Sequence, residues 1–276
     1  MTTEIINALS FDVEDWYMGI EIGMERWGEF EKRLGIGLNL ILNLLDERSV
    51  KATFFILGKC AEYHPDLVRR IAERGHEPAT HGLSHTKIYE MTPESFDAEL
   101  AKSVGLISSI TGREVVGHRA PYFSITDQSL WALDVLRRNG IRYDSSIYPG
   151  SNYRYGIEGT PEQPYALKDN GMPEFPMSVG RVFGKKHGIG GAYFRILPYA
   201  ATRRAIKGIN TAGHPAMFYL HPWEFDPAHP KVEFPRKAQF THYFNLNATA
   251  RRFRKLLGEF RFAPVSDVLR GLNMLQ

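Results

Sequence analysis

Two spacings of hydrophobic residues alternate along this chain. β-rich runs, in which apolar residues are continuous or fall at every second position, read as strands. They are ALSFDVE at 8–14, KATFFILG at 51–58, EVVGHRAP at 114–121, RYDSSIY at 142–148, EFPMSV at 174–179 and PAMFYLHPW at 215–223. Between them lie stretches with apolar residues three or four apart, which read as helices: GLNLILNLLDER at 37–48, PDLVRRIAERG at 65–75, DQSLWALDVLRRNG at 127–140 and YAATRRAIKGIN at 199–210. A final helix, NATARRFRKLLGEF at 247–260, leads into FAPVSDVL at 262–269. The plainest helix is 92–112. Thr92 suits its N-cap, Pro93 its first turn, Phe96, Leu100, Val104 and Ile107 its apolar stripe, and Gly112 its stop; Gly75 ends 65–75 in the same way.

Repeated strand–helix units predict an α/β fold with a mostly parallel sheet, open or closed into a barrel. There is no internal repeat, and the Gly/Pro-rich stretches near 149–164 and 226–236 lack a linker's composition. They read as long loops on one domain spanning 1–276. A net charge of +3 is too small to argue for nucleic acid, and the densest basic run, ARRFRKLL at 250–257, alternates with Phe253, Leu256 and Leu257 as a solvated helix face would. The first residues lack the basic region of a secretory signal, and no run approaches the ~18 apolar residues of a membrane span. Cys60 stands alone, so no intrachain disulfide can form, which suits a reducing compartment. Cytoplasmic is the default expectation.

In α/β folds, ligands gather at the C-terminal ends of parallel strands. The unusual polar residues fall at those ends: Asp12, Glu14 and Asp15 in SFDVEDW, His81 and His85 in HGLSH, Arg119 and Tyr122 in GHRAPYF, Asp144 in RYDSS, and His221, Trp223 and Glu224 in FYLHPWE. Each has an ordinary reading as a cap, a turn or a packed core residue, and His76, after Gly75, reads as turn chemistry rather than a ligand. Five strands delivering polar groups to one rim is the stronger pattern. One carboxylate with two imidazoles is a standard catalytic zinc set that leaves a position open for water. A second carboxylate could serve as general base and a histidine from another strand as general acid, which fits hydrolysis of an amide or ester.

Together these motifs resemble the polysaccharide deacetylases with a NodB homology domain, carbohydrate esterase family 4. The likeness runs from about residue 8 to 269, through SFDVEDW, HGLSH for H-x-x-x-H, GHRAPYF for R-x-P-Y, RYDSS, and FYLHPWE for L-x-H. It is nearest to a bacterial branch with FDVEDW in place of TFDDG, often encoded with exopolysaccharide genes, whose family-specific C-terminal region would begin here at about 226. The resemblance implies an irregular (β/α)7 barrel and a metal-dependent N-deacetylase of an acetamido sugar in a polysaccharide or its precursor, using a metal-activated water. It implies Asp12 as general base, Arg119 holding that base, His221 as general acid, and His81 and His85 as ligands to a divalent metal, most simply zinc. Tyr122 would lend a backbone N–H to the oxyanion, and Asp144 would lie among the substrate-binding residues. Trp223 could stack on a sugar ring or be a buried core residue.

The third ligand is ambiguous, because the family's adjacent Asp pair is replaced by Asp12-Val13-Glu14-Asp15. Strand alternation favours Glu14. A turn after Val13 would present Asp15, the residue type the family uses, and Asp15 is the preferred expectation. Two other functions compete with N-deacetylation. One is hydrolysis of a cyclic ureide or imide on the same machinery, known among relatives with an HPWE motif; the other is non-catalytic glycan binding, against which the intact acid and base candidates count.

Overall fold

The computed structural model describes residues 4–20, 22–150, 154–182, 184–233 and 235–276. The longest alternating run forms β1 (Ile6–Val13), which pairs with three other strands. The strands β2 (Thr53–Ile56), β3 (Glu77–Thr80), β4 (Gly117–His118), β5 (Tyr143–Asp144), β6 (Tyr165–Ala166), β7 (Pro173–Glu174), β8 (Val179–Val182), β9 (Lys185–Gly188), β10 (Met217–Leu220) and β11 (Arg261–Ala263) follow along the chain. In space the order is β10-β1-β2-β3-β4-β5-β7, seven strands paired in parallel, with β6 antiparallel on the outer edge of β7 and β11 beside the start of β1. This curled, incompletely closed sheet is the mostly parallel α/β sheet that the alternation predicted and the irregular (β/α)7 barrel that the resemblance implied.

Ten helices accompany it among the described residues: α1 (Leu34–Asp46), α2 (Gly58–Tyr63), α3 (Pro65–Glu73), α4 (Pro93–Thr111), α5 (Ala132–Arg138), α6 (Gly191–Ile196), α7 (Tyr199–Thr211), α8 (Arg236–Tyr243), α9 (Thr249–Glu259) and α10 (Val265–Gly271). α4 is bounded as its sequence requires. The Thr92 hydroxyl accepts from the Ser95 N–H, and Gly112 takes the left-handed conformation at φ 65°.

Period-two alternation sorts β1 into two jobs. Leu9, Phe11 and Val13 face outward into the large core shared with the helices. Ala8 instead joins Phe55, Ala79, Tyr143, Phe175 and Met217 in a second core inside the barrel, closed at its lower end by Val265, Val268 and Leu269 of α10. Ser10 and Asp12 continue the Ala8 side, which aims Asp12 up the barrel's interior.

Several elements differ from their sequence reading: the strands read at 114–121 and 142–148 shrink to Gly117–His118 and Tyr143–Asp144, and the helix read at 127–140 to Ala132–Arg138. The run at 51–58 gives way to α2 at Gly58. The run at 174–179 is not one strand: Pro176 has no N–H to donate, so pairing with the sheet stops at Glu174, and 179–182 forms a separate hairpin with 185–188. The segment at 262–269 is strand only to Ala263 and helix from Val265. Within the long loops read at 149–164 and 226–236, residues 151–153 and 234 lie outside the described residues.

Candidate active site

The upper rim gathers one residue set from β1, β3, β4 and β10. Glu14, His81 and His85 are all buried, and a ligand atom from each lies within 4.8 Å of the other two. Glu14 Oε2 is 2.7 Å from His85 Nε2 yet makes no hydrogen bond, so two lone-pair donors converge on one point. His81 Nδ1–H donates to the Arg119 carbonyl at 2.7 Å, which leaves its Nε2 lone pair available. Burial pushes the His81 imidazolium down to about 4, with the His85 charge working the same way, so the ring is neutral at physiological pH. Glu14 lies well below the usual carboxylate range: burial opposes its charge, but the His85 charge and contact, with His221 and His81, outweigh it. A charged carboxylate and two imidazoles with an orphaned buried oxygen is a donor set that fits a divalent cation such as zinc.

Asp15, the expected third ligand, is elsewhere. Its Oδ1 accepts the Trp16 N–H, and its Oδ2 accepts the N–H groups of Arg33 and Leu34, at 2.9, 2.8 and 3.1 Å. α1 starts at Arg33 without a side-chain cap of its own, and Asp15 supplies one from 18 residues upstream. Alternation therefore continues past the end of β1, and Glu14 takes the place beside the histidines.

Asp12 and Arg119 form a buried pair. Arg119 Nη1 donates to Asp12 Oδ1 at 2.7 Å and to the Ser10 hydroxyl at 2.9 Å, while Nε and Nη2 hold the carbonyl and hydroxyl of Ser145. Arg119 also stacks 4.1 Å above Phe55. The fork is fixed on every side, so Asp12 Oδ1 is engaged and Oδ2 faces the rim. There His221 Nε2 lies 4.0 Å from Asp12 Oδ2 and 3.5 Å from Glu14 Oε1.

His221 follows β10 and opens a turn at Pro222–Phe225, in which Glu224 reaches back in a capping box. Glu224 Oε1 accepts both the His221 backbone N–H (3.0 Å) and Nδ1–H (2.8 Å), and Oε2 accepts Arg195 Nε at 2.6 Å. Burial works against a charged His221. The Glu224 hydrogen bond and the charges of Glu14, Glu224 and Asp12 nevertheless raise it to about 9, which leaves a proton on the ring at neutral pH.

Backbone strain clusters here. His85, Tyr122 and Phe123 all have φ between 54° and 58°, and for side chains of this size such conformations cost about 1–3 kcal/mol each. The Tyr122 ring stands edge-on to His85 at 4.6 Å. The two other substrate-binding expectations change. Asp144 is fully buried, accepting from His118 Nδ1 and the Ser146 hydroxyl, each at 2.7 Å; Ser146 in turn accepts the Ala120 N–H. Asp144 thus supports the loop that carries Tyr122 and presents no surface to a substrate. Trp223 is buried too, against His221 and His242 (centroids 5.3 and 4.2 Å), with its indole N–H 3.3 Å from Glu14 Oε1. That is the core alternative.

Reading the residues alone placed Glu224 on the rim without giving it a role, and missed Arg195. Glu224 carried a signal, since it stands three residues after His221 with Pro222 between, the spacing of a capping box. Arg195, in GGAYFRILP, carried none.

Residues 37–143 match the polysaccharide deacetylase family, and residues 145–270 match a domain of unknown function, DUF3473. The similarity to a polysaccharide deacetylase domain thus lies in the first half of the chain. It is 34% identical over 152 residues to the peptidoglycan deacetylase-like protein FGM2 of Gibberella zeae, covering 52% of this chain and 44% of that protein. It is 36% identical over 122 residues to a chitooligosaccharide deacetylase of Rhizobium leguminosarum bv. trifolii, covering 43% and 54%. The chain spans about half the length of these curated relatives. The crystal structure of peptidoglycan deacetylase PdaC from Bacillus subtilis superposes with a TM-score of 0.55 at 16% identity, over 98% of this chain and 93% of that one, and shares the fold. The deacetylase match contains His81, His85 and Arg119, whereas His221, Glu224 and Arg195 fall in the DUF3473 match; Asp12 and Glu14 precede both. No helix among the described residues is long and apolar enough to cross a membrane.

Proposed function

We propose that this chain hydrolyses the acetamido group of an N-acetylated sugar in a glycan or its precursor, releasing acetate and a free amine. The observation that carries the reading is a proton acceptor and a proton donor meeting beside one cation-ready cluster, with Asp12 Oδ2 and His221 Nε2 4.0 Å apart. The names of the relatives, deacetylases of peptidoglycan and of chitooligosaccharides, support the substrate class.

Glu14, His81 and His85 would hold the divalent cation, which when bound polarises the acetyl carbonyl and makes water acidic enough to attack near neutral pH. Asp12, held through Oδ1 by Arg119, takes the proton of the attacking water at Oδ2. The Tyr122 N–H is assigned to the oxygen that gains charge as the carbonyl becomes tetrahedral. His221 then gives its Nε2 proton to the sugar nitrogen as the C–N bond breaks, and Glu224 on Nδ1 steadies the ring. The water oxygen ends in acetate, the amine departs with the proton of His221, and the proton left on Asp12 resets the acid. A role limited to glycan binding gives this donor–acceptor pair nothing to do.

The test is incubation with N-acetylglucosamine oligomers, measuring acetate and new amine together. Equimolar appearance of the two supports the reading. Ring opening of a cyclic ureide without acetate release from any acetamido sugar would replace it.

A further inference from the structure

The acid arm is built more heavily than a two-residue relay needs. Arg195, at the end of α6, is fully buried, and its guanidinium makes four hydrogen bonds. Nε donates to Glu224 at 2.6 Å, Nη1 to the carbonyls of His242 (3.1 Å) and Phe244 (2.6 Å), and Nη2 to that of Thr241 (2.7 Å). The same segment returns to the acid by a second route. The His242 ring stacks on Trp223 at 4.2 Å, and Trp223 stacks on His221 at 5.3 Å. The contacts form a closed circuit: His221, Glu224, Arg195, the turn at 241–244, His242, Trp223 and His221 again. Arg195 is held in turn, since its own carbonyl accepts from Asn245 Nδ2 and Arg252 Nη1.

From this circuit we infer that Arg195 is a positioning residue for the reaction proposed above, acting on His221 through Glu224 and through the turn it holds at 241–244. The inference rests on that reaction. It also gives part of the DUF3473 region a task, the fixing of the acid. Geometry explains why an arginine stands here. Glu224 uses one oxygen on His221, so its other oxygen needs a donor that also fills the space under Trp223. Only a planar fork can meet that oxygen and three carbonyls at once. A lysine keeps the charge but cannot span the four acceptors, so Glu224 and the Trp223–His242 stack lose their common anchor. Misplacing an acid by a fraction of an ångström weakens proton delivery while leaving substrate contacts in place.

The experiment compares wild type with Arg195→Lys and Arg195→Gln, both metal-loaded, on two acetyl donors. One is an N-acetylglucosamine oligomer, whose amine must be protonated to leave. The other is an aryl acetate, whose phenolate leaves without a proton. The expected result is a kcat on the oligomer lower by about 10–100-fold with KM little changed, and a loss on the aryl acetate within about threefold. A structural role alone would lower both alike. Equal losses on the two donors, a change confined to KM, or no loss would overturn the inference. The two variants differ in charge, so if one is not recovered folded the other still gives the comparison. Wild type that cleaves the aryl acetate but no acetamido sugar would overturn the proposed function, and the inference with it.

Discussion

Glu14 and Asp15 are neighbours with separable fates, and exchanging each for alanine should separate them. In Asp15→Ala, the N–H groups of Trp16, Arg33 and Leu34 lose their acceptor in a buried setting. An unsatisfied buried donor costs about 1–3 kcal/mol and a lost helix cap about 1 kcal/mol. Part of this is returned, because burial makes the Asp15 carboxylate costly to ionise; with the Asp226 charge adding to the effect, it is raised to about 6 even with three N–H groups at hand. A net loss of about 2–4 kcal/mol follows, or roughly 4–10 °C in Tm for a domain of this size. Metal binding should survive. Glu14→Ala should do the reverse in the cation site, removing one of three ligands, so that stoichiometric zinc is lost after dialysis. The assay is elemental analysis of each purified variant beside thermal unfolding of the metal-free proteins. Loss of zinc from Asp15→Ala with an unchanged Tm, or full zinc in Glu14→Ala, would refute the assignment.

Other expectations follow from the same contacts. Asp12→Asn should lower deacetylation by about 10²–10⁴-fold, and adding Arg119→Lys should make it hardly worse, since Arg119 works through Asp12; fully multiplying losses would assign Arg119 another role. Gly37→Ala should lower kcat, because a Cβ there would lie 1.8 Å from the Pro222 carbonyl and force α1 or the His221 turn to move; unchanged kinetics would show the turn to be compliant. His76 is buried, and burial together with nearby Lys51 lowers it to about 4. The unfolded chain therefore takes up its proton near pH 6.5 while the folded chain does not, so this stability is intact above 6.5 and falls as pH drops toward 4, by about 2 kcal/mol at pH 5. Urea unfolding of wild type and His76→Asn at pH 7 and pH 5 should show a smaller pH effect in the variant; equal slopes would place the effect elsewhere.

What could be read from the residues was what depends on short spacing. Alternation along 8–14 placed β1 and put Glu14 on the same side as Asp12, and the caps of α4 stood at Thr92 and Gly112. What escaped depends on partners far along the chain. Asp15 looks like a ligand until Arg33 and Leu34 arrive 18 and 19 residues later needing an acceptor. Asp144 looks like a rim residue until β7 closes beside β5 and pairs Glu174 with it. Arg195 finds Glu224 29 residues on and the turn at 241–244 nearly 50 residues on, distances over which no local pattern survives. Pro176 could have warned that 174–179 was not one strand.

The proposed reaction turns on Asp12, a carboxylate outside the cation site, serving as the base for deacetylation. The direct measurement takes wild type and Asp12→Asn, determines zinc per chain in each, and then follows acetate release from N-acetylglucosamine oligomers by the same samples. The expected result is equal zinc in the two proteins, acetate from wild type, and a loss of at least about 10²-fold in Asp12→Asn. Acetate release by Asp12→Asn at the wild-type rate, or loss of its zinc, would contradict it.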